Sequence, residues 1–352
     1  MEQNETRTTD EQSWRPTNPH DRFCRHTVFH PMYAPDFLQS FGGPVLTKCI
    51  DMDHLQAAST SHLSDKLREV LTDASLATRL QDANSQSEVL LFLEHKSRPS
   101  RTVALQLLAE AVLSLHQRWV SSHRSESRNV KLPIPLMVVV YNGSEDWEGE
   151  IYFQDLFPDL LEELRPYVPQ FKLFFINLRR YQYGCLPGRP ETQAAVESLM
   201  RATDGTFTEH LSDVFQHVAD AGLDQPQRLG LTRNISYYCA WTDQVTSEQI
   251  TKAITTVFKG QEGIKMAKTI QKGIIQEGIE IGEARGEARG EARGEVRGKI
   301  NAILTLLHDK FHPVPDEIAD ELHQRTDLIA LDSLIILAAH CKTIDEFTNG
   351  LK

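Results

Sequence analysis

The chain has 352 residues, enough for about two domains or for one domain with a long appendage. Its 40% hydrophobic and 24% charged residues match ordinary globular usage, so it can bury a core. A formal charge of −12 argues against a protein that coats nucleic acid non-specifically, but it allows a local basic groove beside an acidic metal site.

Five cysteines, Cys24, Cys49, Cys185, Cys239 and Cys341, are scattered without a Cys-x-x-Cys pair. Neither a zinc ribbon nor a disulfide framework is supported, and a reducing cytoplasm fits best. The first residues lack a basic region followed by an apolar one. No apolar run approaches the ~20 residues of a membrane span, so no membrane partner is expected.

Residues 1–19 are polar and are expected to be disordered. His20-Asp21-Arg22-Phe23 leads into Tyr33–Phe41, where Phe37, Leu38 and Phe41 share one helical face. Leu63–Leu71 alternates apolar and polar residues and reads as a half-buried strand with Asp65 on its polar face. Thr72–Gln86 is ambiguous between a short helix and an enlarged hairpin loop.

Val89–Leu93 is continuously apolar, as a strand covered on both faces requires, and it stops at Glu94-His95-Lys96. A period of two puts Glu94 and Lys96 on one face and His95 on the other. The carboxylate can hold a divalent cation, while the ammonium orients a water or steadies a developing negative charge. The same tripeptide would also close a strand as a surface ion pair. Were the Asp65 strand to pair with this one, two carboxylates would approach each other, and a bound Mg²⁺ or Mn²⁺ would relieve their repulsion.

Pro99 suits a helix start, and the stripe from Val103 to Leu115 predicts a helix to about Val120 that carries Gln106 back toward the carboxylates. Leu136–Tyr141, stopped by Asn142-Gly143, and Phe171–Leu178, followed by Arg179-Arg180, read as further buried strands. With a helical stretch over 156–164 between them, they predict an α/β domain of three layers, a sheet flanked by helices. Residues 190–258 read as helices.

Residues 283–298 spell Glu-Ala-Arg-Gly three times and then Glu-Val-Arg-Gly. Each such glycine costs a helix roughly 1 kcal/mol relative to alanine. Like charges also fall four apart, so an isolated helix of this sequence should be weak. Small stripes permit close backbone approach, and a glutamate stripe can face an arginine stripe, so residues 259–299 are expected either to oligomerise or to form a flexible charged linker. Residues 300–352 read as a small helical cap.

His20-Asp21-Arg22-Phe23, Ser64-Asp65, Leu93-Glu94-His95-Lys96-Ser97-Arg98-Pro99, Leu105-Gln106-Leu107-Leu108, Val139-Val140-Tyr141-Asn142-Gly143 and the glycine-every-four tail occur in order. Together they resemble the Rpn (recombination-promoting nuclease), or YhgA-like transposase, family. That family is similar to the PD-(D/E)XK nuclease superfamily, whose core is a mixed sheet flanked by helices. The resemblance implies a nuclease domain over 20–258 and a Mg²⁺-dependent (or Mn²⁺-dependent) DNA endonuclease tied to recombination or mobile elements.

By the same resemblance Asp65, Glu94 and the His95 carbonyl would hold the metal, Lys96 would be the motif lysine and Gln106 a supporting polar residue. Asp21 would add an outer carboxylate, and the His95 ring would pack away from the carboxylates. Arg118, Arg124, Arg128, Lys131, Arg179 and Arg180 are candidate DNA phosphate contacts, and equally ordinary solvated ends of elements. The non-enzymatic alternative is a nuclease-like scaffold without turnover that binds DNA or protein as an oligomer.

Overall fold

The computed structural model describes residues 18–58, 73–81, 87–123, 131–147, 151–157, 162–242 and 244–351. The described chain divides into two compact units, one within Arg15–Ile275 and one formed by Gln276–Lys352.

The first unit is built on a six-stranded mixed sheet of order β1-β2-β3-β4-β6-β5. Its strands are β1 (Gln56–Ala57), β2 (Ala74–Arg79), β3 (Glu88–Lys96), β4 (Ile134–Tyr141), β5 (Ile151–Tyr152) and β6 (Lys172–Asn177). β2 runs antiparallel to β3, pairing Ala74 with Leu93 and Arg79 with Glu88. β3, β4 and β6 are parallel and in register at their carboxyl ends, where Lys96 is opposite Tyr141 and Tyr141 is opposite Asn177. One edge of the sheet therefore gathers the ends of three buried strands, the usual place for a site in a parallel sheet.

Three short helices precede the sheet: α1 (Pro19–His26), α2 (Ala34–Phe41) and α3 (Gly43–Cys49). The expected helix around Phe37, Leu38 and Phe41 is α2, and all three side chains are buried. α4 (Val103–His123) packs Val103, Ala104, Leu107 and Ala111 against Leu90 and Phe92 of β3 and Val139 of β4. These β3 residues have the same parity as Glu94, so α4 covers the face that Glu94 shares. β3 is buried from Val89 to His95, as its unbroken apolar run requires.

Two expectations change. Thr72–Gln86 contributes a strand, β2. It takes one edge of β3 while β4 takes the other, so the expected pairing of the Asp65 strand with Val89–Leu93 is not the one observed. Leu63–Leu71 itself, with Asp65, lies outside the described residues. Of the expected helical stretch over 156–164, residues 158–161 lie outside the described residues, and the described ends fall in two 3₁₀ turns, Phe153–Leu156 and Glu162–Tyr167.

Residues 190–258 are helical as expected: α5 (Pro190–Asp204), α6 (Phe207–Asp220), α7 (Gln225–Trp241) and α8 (Ser247–Val257). The repeat lies in one continuous helix, α9 (Gly260–Lys310). In the second unit Ile300, Ile303 and Leu307 of α9 form a core with α10 (Asp316–His323), α11 (Leu328–His340) and α12 (Ile344–Leu351). Among the described residues no helix is long and apolar enough to cross a membrane.

Candidate active site

The carboxyl end of β3 carries two polar clusters, one on each face. On the face covered by α4, Lys96 Nζ donates to Glu94 Oε1 at 2.5 Å and to Gln106 Oε1 at 3.3 Å. Gln106 Nε2 donates to the same Glu94 oxygen at 2.8 Å, so the amide bridges the ammonium and the carboxylate. Glu94 is 5% exposed, which makes these charge-assisted bonds stronger than their surface equivalents. The sequence-based placement of Glu94, Lys96 and Gln106 together therefore holds, and a surface ion pair does not describe it.

Asp73, which the sequence reading did not single out, immediately precedes β2. Its carboxylate accepts the His95 backbone N–H at 2.7 Å, and its own N–H donates to Glu94 Oε2 at 3.3 Å. The Arg25 guanidinium donates to the Asp73 carbonyl at 2.8 Å and pins the loop from α1. Burial raises the Asp73 carboxyl to about 7, helped by the negative charges of Glu94 and Asp21. Carboxylates this close and this buried are costly without a proton or a cation among them.

On the opposite face the His95 ring is only 2% exposed as a residue, and it lies between Asp21 of α1 and Asn142 at the end of β4. Nδ1 is 3.0 Å from Asp21 Oδ1, and Nε2 is 2.7 Å from Asn142 Oδ1. The expected alternation is present, with the ring turned away from Glu94. It is packed against acid all the same: Asp21, Asp73 and His95 each offer one ligand atom, and these atoms all lie within 4.8 Å of one another. His20 stands beside it, ring centroids 5.9 Å apart, with Nδ1 at 2.5 Å from the Tyr238 hydroxyl. Burial, and then the neighbouring His95, lowers His20 to about 4, so it is neutral near pH 7.

The candidate phosphate contacts fall at different places. Arg118 binds both oxygens of Glu88, at 2.6 and 2.7 Å, at the start of β3. Eight residues of strand put that pair roughly 26 Å from Lys96. Lys131 precedes the start of β4 and lies toward that same distant end. Arg124 and Arg128 are outside the described residues. Arg179 and Arg180 follow β6 at the edge that also carries Lys96. Arg179 is engaged by the Glu145 carbonyl and by Asp146, whose side chain is almost fully exposed, so that ion pair exchanges readily with solvent. Arg98 and Arg101, just beyond Lys96, are exposed.

The family described as "Putative transposase, YhgA-like" matches residues 18–227. Among curated proteins the chain is similar to recombination-promoting nuclease RpnD of Escherichia coli O157:H7, with 24% identity over 163 residues, 46% of this chain and 60% of that protein. It is also similar to recombination-promoting nuclease RpnA of Escherichia coli strain K12, with 22% identity over 46% of this chain and 53% of that protein. A third match, 26% identical over 92 residues, covers 26% of this chain and 87% of the K12 protein named "Putative inactive recombination-promoting nuclease-like protein YjiP". The matches thus span somewhat over half the length of RpnD and RpnA. No solved structure matches the chain significantly. The family match covers more than half of the sequence and includes β1 to β6, α1 and α4, and the chain belongs to the YhgA-like transposase family.

Proposed function

We propose that the protein is a divalent-metal-dependent DNA endonuclease of the PD-(D/E)XK kind. The observation that carries this reading is the convergence of Asp73, Glu94, Lys96 and Gln106 at the end of β3, where both carboxylates are buried, Glu94 accepting from the Asp73 N–H, Lys96 and Gln106, and Asp73 accepting from the His95 N–H. The strand order, with β2 antiparallel and β4 parallel to β3, is compatible with that superfamily's mixed sheet. The printed names of RpnD and RpnA support nuclease chemistry connected with recombination.

In this reading Asp73 takes the role expected of Asp65, because among the described residues Asp73 is the carboxylate beside Glu94 and the His95 backbone. The donor set fits a hard divalent cation: oxygen ligands from Asp73, Glu94 and the His95 carbonyl, where two buried carboxylates face one ammonium, Lys96. Bound there, Mg²⁺ or Mn²⁺ would polarise a phosphate oxygen and lower the pKa of an attacking water. Lys96, held at Glu94 Oε1, is placed to orient that water and to offset charge as the phosphorus becomes five-coordinate. Gln106 fixes the ammonium relative to the carboxylate. Arg98, Arg101, Arg179 and Arg180 at the same sheet edge are suited to DNA phosphates, whereas Arg118 is occupied by Glu88.

The exposed Glu and Arg stripes of α9 support a role for 259–299 in pairing with a second copy of the chain. A second reading, a scaffold without turnover, is favoured by the relative whose name calls it inactive. Supercoiled plasmid incubated with the purified protein separates the two readings. The nuclease nicks it with Mg²⁺ and stops on addition of EDTA; a scaffold leaves it intact with either Mg²⁺ or Mn²⁺.

A further inference from the structure

The orientation of the Asn142 amide fixes where the proton of His95 sits. Asn142 Nδ2 donates to the Leu199 carbonyl and to Thr203 Oγ1, both at 3.0 Å. Thr203 Oγ1 in turn donates to that same carbonyl, so it can only accept from the amide. The remaining amide atom, Oδ1, is an acceptor and faces His95 Nε2 at 2.7 Å. Nε2 therefore carries a hydrogen, and in the neutral ring Nδ1 presents a lone pair. That lone pair meets Asp21 Oδ1 at 3.0 Å. Two acceptors at this distance repel unless a proton or a cation joins them.

A divalent cation would find a third donor beside this pair. Asp73 is the third donor of the cluster, all of whose ligand atoms lie within 4.8 Å of one another. Two ligands about 2.1 Å from one ion lie about 3 Å apart when cis and about 4.2 Å apart when trans, so side-chain shifts of some tenths of an ångström would close the set. A ring nitrogen hydrogen fixed by an outer acceptor, leaving the other nitrogen for the metal, is the arrangement that orients metal-bound histidines.

Resting on the nuclease reading above, we infer that His95 Nδ1, Asp21 and Asp73 form a second cation position of mixed nitrogen and oxygen donors, which takes a first-row transition metal of the Mn²⁺ class. Asp73 is shared with the oxygen-only position at Glu94. The imidazole sets the selectivity, because nitrogen donors suit transition metals while Mg²⁺ and Ca²⁺ prefer oxygen. α1 supplies Asp21, so the helix that opens the domain takes part in the metal centre. Asn142 acts as a positioning residue through His95.

Pulsed electron paramagnetic resonance of the full-length protein loaded with Mn²⁺ tests this. The expected result is nitrogen modulation from a directly bound imidazole, shifted by ¹⁵N-histidine labelling, lost in His95→Gln and retained in Glu94→Gln. Asp21→Asn, a change at a side chain that is 36% exposed, should weaken Mn²⁺ at this position by at least about tenfold and reduce the modulation in parallel, with folding checked by its melting curve. Mn²⁺ bound without nitrogen coupling, or coupling that survives His95→Gln, would overturn the inference and leave the nuclease reading standing. A protein that binds no Mn²⁺ at all would overturn both.

Discussion

Asp73 and Glu94 are joined through the backbone of one and the side chain of the other, with Asp73 N–H donating to Glu94 Oε2 at 3.3 Å while the Asp73 carboxylate accepts the next amide along β3. The pair therefore depends on the register of β2 against β3, and it brings two negative charges together in a buried place.

That proximity has a pH signature. The folded-state pKa of Asp73 is raised to about 7 by burial and by Glu94 and Asp21. In an unfolded chain the same group loses its proton near about 3.9. Between these values the folded state holds a proton that the unfolded state has released, so this stabilising contribution is full below the lower value and is lost as pH rises through the upper one. In EDTA, thermal melting should show wild type losing stability relative to Asp73→Asn between about pH 4 and 7, with little further change above. Parallel profiles for the two proteins would contradict it. Metal binding at about pH 6 should release close to one proton, read by calorimetry in buffers of different ionisation enthalpy.

Lys96→Ala removes the ammonium held at Glu94 Oε1. Cleavage should fall on the order of 10² to 10³-fold, as for loss of one preorganised donor to a developing charge. Mn²⁺ affinity, measured by titration calorimetry, should be unchanged or tighter because the carboxylate loses a competing cation.

Gln106→Ala should have a milder effect. The amide touches Glu94 and Lys96 but is placed to bind neither metal nor phosphate, so a loss of about 10 to 100-fold in metal affinity or activity is expected, the range for groups that orient ligands. A loss as complete as that of Glu94→Gln would place Gln106 in direct contact with the reacting groups instead.

Gly143→Ala tests the packing beneath the site. A Cβ at Gly143 would collide with the Ser97 carbonyl and with the Tyr141 ring and hydroxyl. The ends of β3 and β4 would have to separate, and a loss of about 2 kcal/mol or more is expected, visible as a lower melting temperature.

The repeat helix makes a separate prediction. Gly286, Gly290 and Gly294 have no neighbouring side chains within van der Waals reach. If a second copy approaches along that stripe, Gly290→Leu should dissociate the assembly in sedimentation equilibrium. Alanine there should instead raise helix content by circular dichroism. A wild-type monomer across the working concentration range would contradict pairing.

The sequence made β3 legible because a strand buried on both faces must be apolar throughout, and Val89–Leu93 is. The parity of Glu94, His95 and Lys96 followed from strand geometry, and Gln106 from its place on the first turn of α4. β2 was not legible: Ala74, Ser75 and Arg79 are poor strand residues, and the strand exists because β3 offers a complete edge to pair with. Asp73 was hidden for the same reason, since its role depends on a long-range register rather than a local pattern. An aspartate 21 residues before Glu94, leading a short segment that can return antiparallel to β3, was the available signal. The cleaner alternation of Leu63–Leu71 points to Asp65, which lies outside the described residues. For His95, alternation gave the direction of the ring but not the aspartate on α1 that awaits it.

In the proposed function Asp73 and Glu94 are the metal-binding pair. The most direct test compares Mg²⁺-dependent plasmid cleavage by wild type, Glu94→Gln, Asp73→Asn and Asp65→Asn, each checked for folding by its melting curve. Wild type and Asp65→Asn should cleave, and Asp73→Asn and Glu94→Gln should show no cleavage above background. An active Asp73→Asn beside an inactive Asp65→Asn would contradict that assignment.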